Sequence, residues 1–444
     1  MKCLNYDVQT LTDSNGHSVH ICRQTGRWVC SEKLSGDETA YLKGGYAPLT
    51  LSRFTPTPHQ IILNVTSRCN LDCIYCYANE KNVQDITEKV FSDTINFIGK
   101  ISAGRDCSIL LTGGEPMLLW DRILTWINKY RKVLPVNLGY SMQSNGTLIN
   151  ETNAAELRKE RVNVGISLDS SPNFHNSYRS GSYELALRAI NILRQHKIGA
   201  GARITVSAES VNTTPDTIRY YISQGIRHFT IGFIDPLGRA RNKRELLPSS
   251  QQRLKLQNEM FQICVDEYQN KNRIEILSVS QMIVNLLTNL RPSCCPNSPC
   301  GAGVSLLGVN TNGDVYPCDY LFEPSMKLGN VADITTVLTS IDKSKELQKL
   351  QYSHQNECNL CAVNSICTGG CRVSRYAYDK ENLSFPNCGY MPTLVADYAW
   401  KITNDMNTRR YAASIATGDV KSPSFGLSPV KGTLTIEKEE KCLT

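Results

Sequence analysis

The sequence predicts an α/β protein, in which six strand–helix units form a partial (β/α)6 barrel and a small cysteine-rich domain follows. Three observations predict it. Between residues 60 and 270, short apolar runs alternate with segments of helix-like apolar spacing, the pattern of a parallel sheet with right-handed crossovers. A cysteine triplet, Cys69, Cys73 and Cys76, directly follows the first of those runs. A second cysteine set runs from Cys294 to Cys388, after the last unit.

The elements follow in order. Residues 1–58 form an N-terminal β-rich extension. In it Tyr6-Asp-Val-Gln-Thr-Leu, Ser18-Val-His-Ile-Cys and Arg27-Trp-Val-Cys are separated by Ser-Asn-Gly and Thr-Gly turn signals, which predicts a small antiparallel meander. It either holds a peptide by strand addition or covers one end of the barrel. Thr55-Pro-Thr-Pro58 reads as the linker. The barrel spans 59–285, with strands near 61–65, 108–112, 138–143, 163–168, 202–206 and 229–234. Its first strand, Gln60-Ile-Ile-Leu-Asn-Val65, is β-branched and apolar, as buried parallel strands are. The segment 117–132 predicts a helix with its apolar face on the sheet and its aromatics in the core. Residues 286–392 make the cysteine-rich domain. In 393–444, Leu394-Val-Ala-Asp-Tyr-Ala-Trp-Lys-Ile-Thr predicts a helix, and the polar remainder from Asp419 predicts disorder.

Composition narrows the classes of function. The net charge of +7, from 48 basic and 41 acidic residues, is too mild and too dispersed for a nucleic-acid binder. The densest basic run, Gly238-Arg-Ala-Arg-Asn-Lys-Arg-Glu245, reads as a solvated loop at the barrel mouth. Neither a signal-peptide core nor a membrane-length apolar run is present, so a cytoplasmic location is expected. In a reducing compartment, 18 cysteines point to metal ligands or catalytic groups rather than disulfides.

The triplet has C-x3-C-x2-C spacing, three thiolates where a [4Fe-4S] cubane usually takes four. One iron is left open, as catalytic metal sites leave a position. Strand Cys107–Thr112 runs into Gly113-Gly114-Glu115-Pro116, where the two glycines allow close backbone approach to a ligand. Val162-Asn-Val-Gly-Ile-Ser-Leu-Asp169 is the fourth strand, with Ser167 and Asp169 at its exit. Gln143, Ser144 and Asn145 end the third. The C-terminal set reads Cys294, Cys295, Cys300, then Gly313-Asp-Val-Tyr-Pro-Cys318, then Cys358-x2-Cys361-x5-Cys367-x3-Cys371, then Cys388. Closed thiolate sites suit zinc as well as iron–sulfur, so a structural zinc module is the competing reading of that set.

Together these motifs, over roughly residues 58–392, resemble the radical S-adenosylmethionine (SAM) enzymes that carry a C-terminal SPASM domain. The resemblance implies a SAM-binding [4Fe-4S] cluster on Cys69, Cys73 and Cys76, with Tyr75 as the aromatic before the third cysteine. It implies SAM contacts from Gly113, Gly114 and Glu115, the last toward the methionine amino group, and from Ser167 and Arg179, which also read as an ordinary strand-end serine and a surface arginine. It implies two auxiliary [4Fe-4S] clusters, one on Cys294, Cys300, Cys318 and Cys371, and one on Cys358, Cys361, Cys367 and Cys388. Cys295 competes with Cys294. Asp319 matches a catalytic base, or else is a turn aspartate beside a cluster. The partners implied are a precursor peptide or protein substrate and a flavodoxin- or ferredoxin-type electron donor, with no nucleic acid and no membrane. The main expectation is a maturase that cross-links a ribosomally made peptide through a C–C, ether or thioether bond. The alternative is an anaerobic sulfatase-maturating enzyme that converts Cys or Ser to formylglycine. A non-catalytic iron–sulfur or zinc scaffold is the reading from another class.

Overall fold

A computed structural model describes residues 7–44, 59–78, 83–102, 104–288, 300–303, 305–343 and 355–417. The Thr55–Pro58 linker, Cys294, Cys295 and the polar tail lie outside them. Six parallel strands are found where the apolar runs predict them: β4 (Gln60–Thr66), β5 (Cys107–Gly113), β6 (Leu138–Ser144), β7 (Asn163–Ser167), β8 (Ala200–Val206) and β9 (His228–Phe233). They pair in sequence order, each parallel to the next. β4 is buried at all seven positions, because helices cover such a sheet.

The sheet continues into the cysteine-rich region. β11 (Leu306–Val309) pairs parallel with β4, Leu306 opposite Gln60, and β12 (Asp314–Tyr316) and β13 (Gly329–Asn330) add antiparallel strands beyond it. At the far edge β10 (Glu275–Ile276) lies parallel to β9. Among the described residues the sheet thus has ten strands in the order β10-β9-β8-β7-β6-β5-β4-β11-β12-β13. The hairpin β11–β12 carries the chain back over Gly308, where an added Cβ would stand 2.7 Å from the carbonyl carbon of Cys318. Cys318 and Asp319 are thereby laid against the barrel.

The predicted 117–132 helix is a 3-10 turn, Pro116–Leu119, followed by an α-helix, Trp120–Tyr130. Trp120, Ile123, Trp126 and Ile127 form its buried face, so its aromatics are core. The N-terminal meander is present as β1 (Val8–Thr12), β2 (Ser18–Cys22) and β3 (Trp28–Cys30). It packs on a C-terminal helix that runs from Pro386 to Asn404, longer than predicted, with Cys388 in its first turn. His17 stacks on Trp400 at 4.0 Å, Ser14 donates through its N–H and Oγ to Asp397, and Gln9 reaches the carbonyl of Leu360 between Cys358 and Cys361. A further helix, Met406–Ala416, capped by Asp405, was not expected from the sequence.

Candidate active site

The triplet loop leaves β4 and is held by the Gly-Gly turn that leaves β5. Gly114 N–H donates to Thr66 O at 2.6 Å and Glu115 N–H to Arg68 O at 2.8 Å. A Cβ on Gly114 would lie 2.0 Å from Arg68 O, and one on Gly113, at φ +134°, 2.2 Å from Thr66 O. The close approach that requires these glycines in the structure is to the backbone leading into Cys69. Glu115 is 1% exposed. Its carboxylate accepts from the N–H groups of Met117 and Asn145 and from Ser144 Oγ. Burial raises its pKa against those three bonds. The oxygens expected to face an ammonium group are thus engaged in joining the β5 and β6 exits. Asn145 continues the link, its Nδ2 2.9 Å from Asn70 Oδ1 and 4.0 Å from Cys69 Sγ.

The other side of the loop is set by a buried ion pair. Arg179 Nε lies 2.8 Å from Asp169 Oδ2, Tyr75 Oη donates to the same carboxylate oxygen, and the guanidinium stands 5.2 Å over the Tyr75 ring. Arg179 Nη1 also points to Cys73 Sγ at 3.9 Å. Burial opposes the charge of Arg179, but the Asp169 carboxylate more than offsets it and holds the group protonated. Burial pushes the free Cys73 thiol up to about 11, with Arg179 opposing. Asp169 is oriented in turn by Thr205 N–H at 2.9 Å. Ser167 accepts from Gln143 Nε2 at 3.1 Å. Arg179 is therefore no surface residue. The basic run after β9 is not simply solvated either: Arg239 N–H donates to Cys76 O, and its side chain pairs with Asp72 and reaches Cys73 O at 3.1 Å.

Asp319 is 6% exposed and lines a cavity of about 210 Å³ together with Gly113, Asn64, Tyr77, Tyr320 and Glu323. Tyr77 Oη donates to its Oδ2 at 3.1 Å, and Cys318 Sγ lies 3.3 Å from its Oδ1. Burial raises the carboxyl's pKa, against the hydrogen bond from Cys318, the charge of Arg203 and the bond from Tyr77. Tyr77 and Tyr320 stack at 4.1 Å, and Arg203 Nη2 donates to Tyr320 Oη at 2.9 Å. At the rim, Arg241 faces Glu323 and Glu381, and Lys380 and Tyr376 also bond Glu323. Sequence reasoning missed Tyr77, Tyr320 and Arg203. The first two carried a signal, since each directly follows a motif residue, Cys76 and Asp319.

In the C-terminal region Cys367 neighbours Cys361, Cys388 and Cys358, and Cys371 neighbours Cys300. Burial pushes Cys367 up to about 12, with the charges of Cys361, Cys388 and Cys358 adding. Burial does the same to Cys371, with Cys300 adding. Sulfurs of the motif cysteines also collect donors: Leu71 N–H on Cys69 at 3.4 Å, Ser374 N–H on Cys371 at 3.5 Å and Arg375 Nη1 on Cys388 at 3.2 Å. Such N–H···S bonds are how proteins tune cluster thiolates. Among the described residues, no three Cys, His, Asp or Glu side chains converge tightly enough for a single metal ion. Thiols grouped in this way, with donors on their sulfurs, fit four-iron clusters, whose irons each take a separate thiolate. By contrast Cys22, Cys107 and Cys264 are buried away from these groups, and burial pushes the last two up to about 12, as expected of packed, unreactive thiols.

Comparison with known proteins agrees with this geometry. Residues 63–220 match the radical SAM superfamily and residues 300–368 the SPASM iron–sulfur cluster-binding domain. The chain is 26% identical over 343 residues to a cysteine-type anaerobic sulfatase-maturating enzyme of Clostridium perfringens, covering 73% of this chain and 91% of that one. It is 26% identical over 367 residues to a serine-type anaerobic sulfatase-maturating enzyme of Klebsiella aerogenes, covering 78% and 87%. Among solved structures, native anSMEcpe with bound AdoMet matches with a TM-score of 0.70 at 22% identity, covering 81% of this chain and 100% of that one. Streptococcus suis SuiB bound to S-adenosylmethionine matches at 0.55 and 13% identity, covering 83% and 95%.

Proposed function

The chain is a radical SAM enzyme with a C-terminal SPASM domain, and from that premise we propose that it oxidises a cysteine or serine side chain of a sulfatase-type protein to formylglycine. The observation that carries the reading is Asp319, a buried carboxylate that shares a cavity with Gly113 and is held by Tyr77. Cys69, Cys73 and Cys76 would hold the catalytic [4Fe-4S] cluster. Cys300, Cys318 and Cys371, with Cys294, would hold the first auxiliary cluster, and Cys358, Cys361, Cys367 and Cys388 the second. When bound, these clusters and SAM supply a 5′-deoxyadenosyl radical that takes hydrogen from the substrate carbon, and an acceptor for the electron that remains.

The protein's own groups bind, orient and move a proton. Tyr75, Gly113, Gly114, Glu115, Ser167 and Arg179 would position SAM. Forming a carbon–heteroatom double bond requires the substrate's hydroxyl or thiol proton to leave. Asp319 Oδ2 would accept it, kept in place by Tyr77 while Arg203 favours the charged form. The rim pair Arg241–Glu323 would meet the flanking peptide. No described helix is long and apolar enough to cross a membrane. We take the site of action as cytoplasmic and the reductant as a flavodoxin- or ferredoxin-type protein.

Cross-linking of a precursor peptide uses the same hydrogen abstraction but has less support. The relatives at 26% identity are named as sulfatase-maturating enzymes, and the fold match to anSMEcpe exceeds that to SuiB, 0.70 against 0.55. Asp319→Asn tests the reading. Deoxyadenosine release should persist while aldehyde formation slows by about 100-fold or more, the usual worth of a general base. Equal losses of both would assign Asp319 a structural role.

A further inference from the structure

We propose that Arg375 raises the reduction potential of the auxiliary cluster on Cys358, Cys361, Cys367 and Cys388, and so draws electrons outward from the cluster beside Asp319. Arg375 is 6% exposed and lies on the helix Arg372–Lys380. Its Nη1 is 3.2 Å from Cys388 Sγ, its Nη2 is 2.7 Å from Glu357 Oε2, and its guanidinium stands 5.7 Å over Phe385.

Reduction of a four-iron cluster adds one electron and one negative charge. A buried cation that donates to a ligand sulfur stabilises that reduced form, because little solvent screens the interaction. The same helix begins at Cys371, whose sulfur accepts from the neutral groups of Ser374, its N–H at 3.5 Å. One turn of helix thus sets a neutral donor on the inner thiolate and a cation on the outer one. Cys388 is exposed, so the favoured cluster has a ligand at the surface, where an acceptor protein can dock. Glu357 is largely exposed, 79% at its side chain, and its screened charge offsets only part of Arg375.

The test is an anaerobic, spectroscopically monitored redox titration of the reconstituted holoenzyme. Arg375→Gln keeps a donor and removes the charge. It should lower the midpoint of one auxiliary cluster by a tenfold change in its equilibrium constant, about 59 mV for one electron, and leave the other two clusters unmoved. Arg375→Lys should restore most of the shift, and Glu357→Gln should move the same midpoint the opposite way. An unchanged midpoint in Arg375→Gln, or an equal shift in all three clusters, would overturn the proposal. If Arg375→Gln loses iron, Glu357→Gln decides: a raised midpoint supports the proposal, and a lowered or unmoved one refutes it.

Discussion

Replacing Gly114 by Ala tests how the two motif loops are joined. The added methyl would lie 2.0 Å from Arg68 O, 2.4 Å from Arg68 C and 2.9 Å from Ser67 O, all backbone atoms with no rotamer to escape into. Ordinary contact begins near 3.4 Å, so the Gly-Gly turn and the triplet loop must part by more than 1 Å. That separation stretches Gly114 N–H to Thr66 O and Glu115 N–H to Arg68 O, each worth about 1 kcal/mol, on top of an overpacking cost of about 1–3 kcal/mol. A displacement of about 1 Å at reacting atoms costs about 100-fold in rate. The assay is SAM cleavage by anaerobically reconstituted protein under reductant, alongside iron content. Gly114→Ala should remain folded, keep the iron of its auxiliary clusters and cleave SAM at least about 100-fold more slowly. Cleavage at the wild-type rate would refute the argument that this crossing positions the site.

Other perturbations follow from the same geometry. Replacing Cys69, Cys73 and Cys76 by Ala should lower iron from about twelve to about eight atoms per chain and abolish SAM cleavage, as iron analysis and deoxyadenosine assay would show. Arg179→Gln leaves Asp169 buried beside a neutral group and should destabilise the fold by about 3–5 kcal/mol, measured by urea unfolding; Arg179→Lys should recover part of that. His175 accepts from Asp169 N–H through Nδ1 and faces Ser182 Oγ through Nε2, which fixes it neutral, and burial lowers its pKa from 6.5 to about 4. The unfolded chain therefore binds the extra proton first. Stability should be full above pH 6.5 and fall by about 3 kcal/mol as pH drops toward 4. His175→Asn should flatten that part of the unfolding profile.

The six barrel strands were legible because each is a run of β-branched or apolar residues long enough to be buried on both faces, as Ile61 to Val65 are. The triplet and the second cysteine set were legible because spacing along the chain carries ligand chemistry directly. What the sequence did not reveal depends on pairing across long separations. β11 and β12, four and three residues long, carry too little pattern to announce that they extend the sheet at β4, and nothing local says that Gly308 admits Cys318. The part of Glu115 in joining the β5 and β6 exits was not legible, because its three donors come from Ser144, Asn145 and Met117. Arg239 read as solvated because its partner Asp72 lies 167 residues away. The Tyr77–Tyr320 stack joins two motifs that are adjacent only in space. The N-terminal meander was legible from its turns, while its seat on Trp400 and Asp397 was not.

The most direct measurement is the mass and carbonyl reactivity of a sulfatase-type peptide carrying the target Cys or Ser, after anaerobic incubation with reconstituted enzyme, SAM and reductant. The account predicts an aldehyde at that residue, trapped by a hydrazide, formed by wild-type protein and slowed in Asp319→Asn. An unchanged peptide, from enzyme that still cleaves SAM and that cross-links a different precursor with loss of two hydrogens, would contradict it.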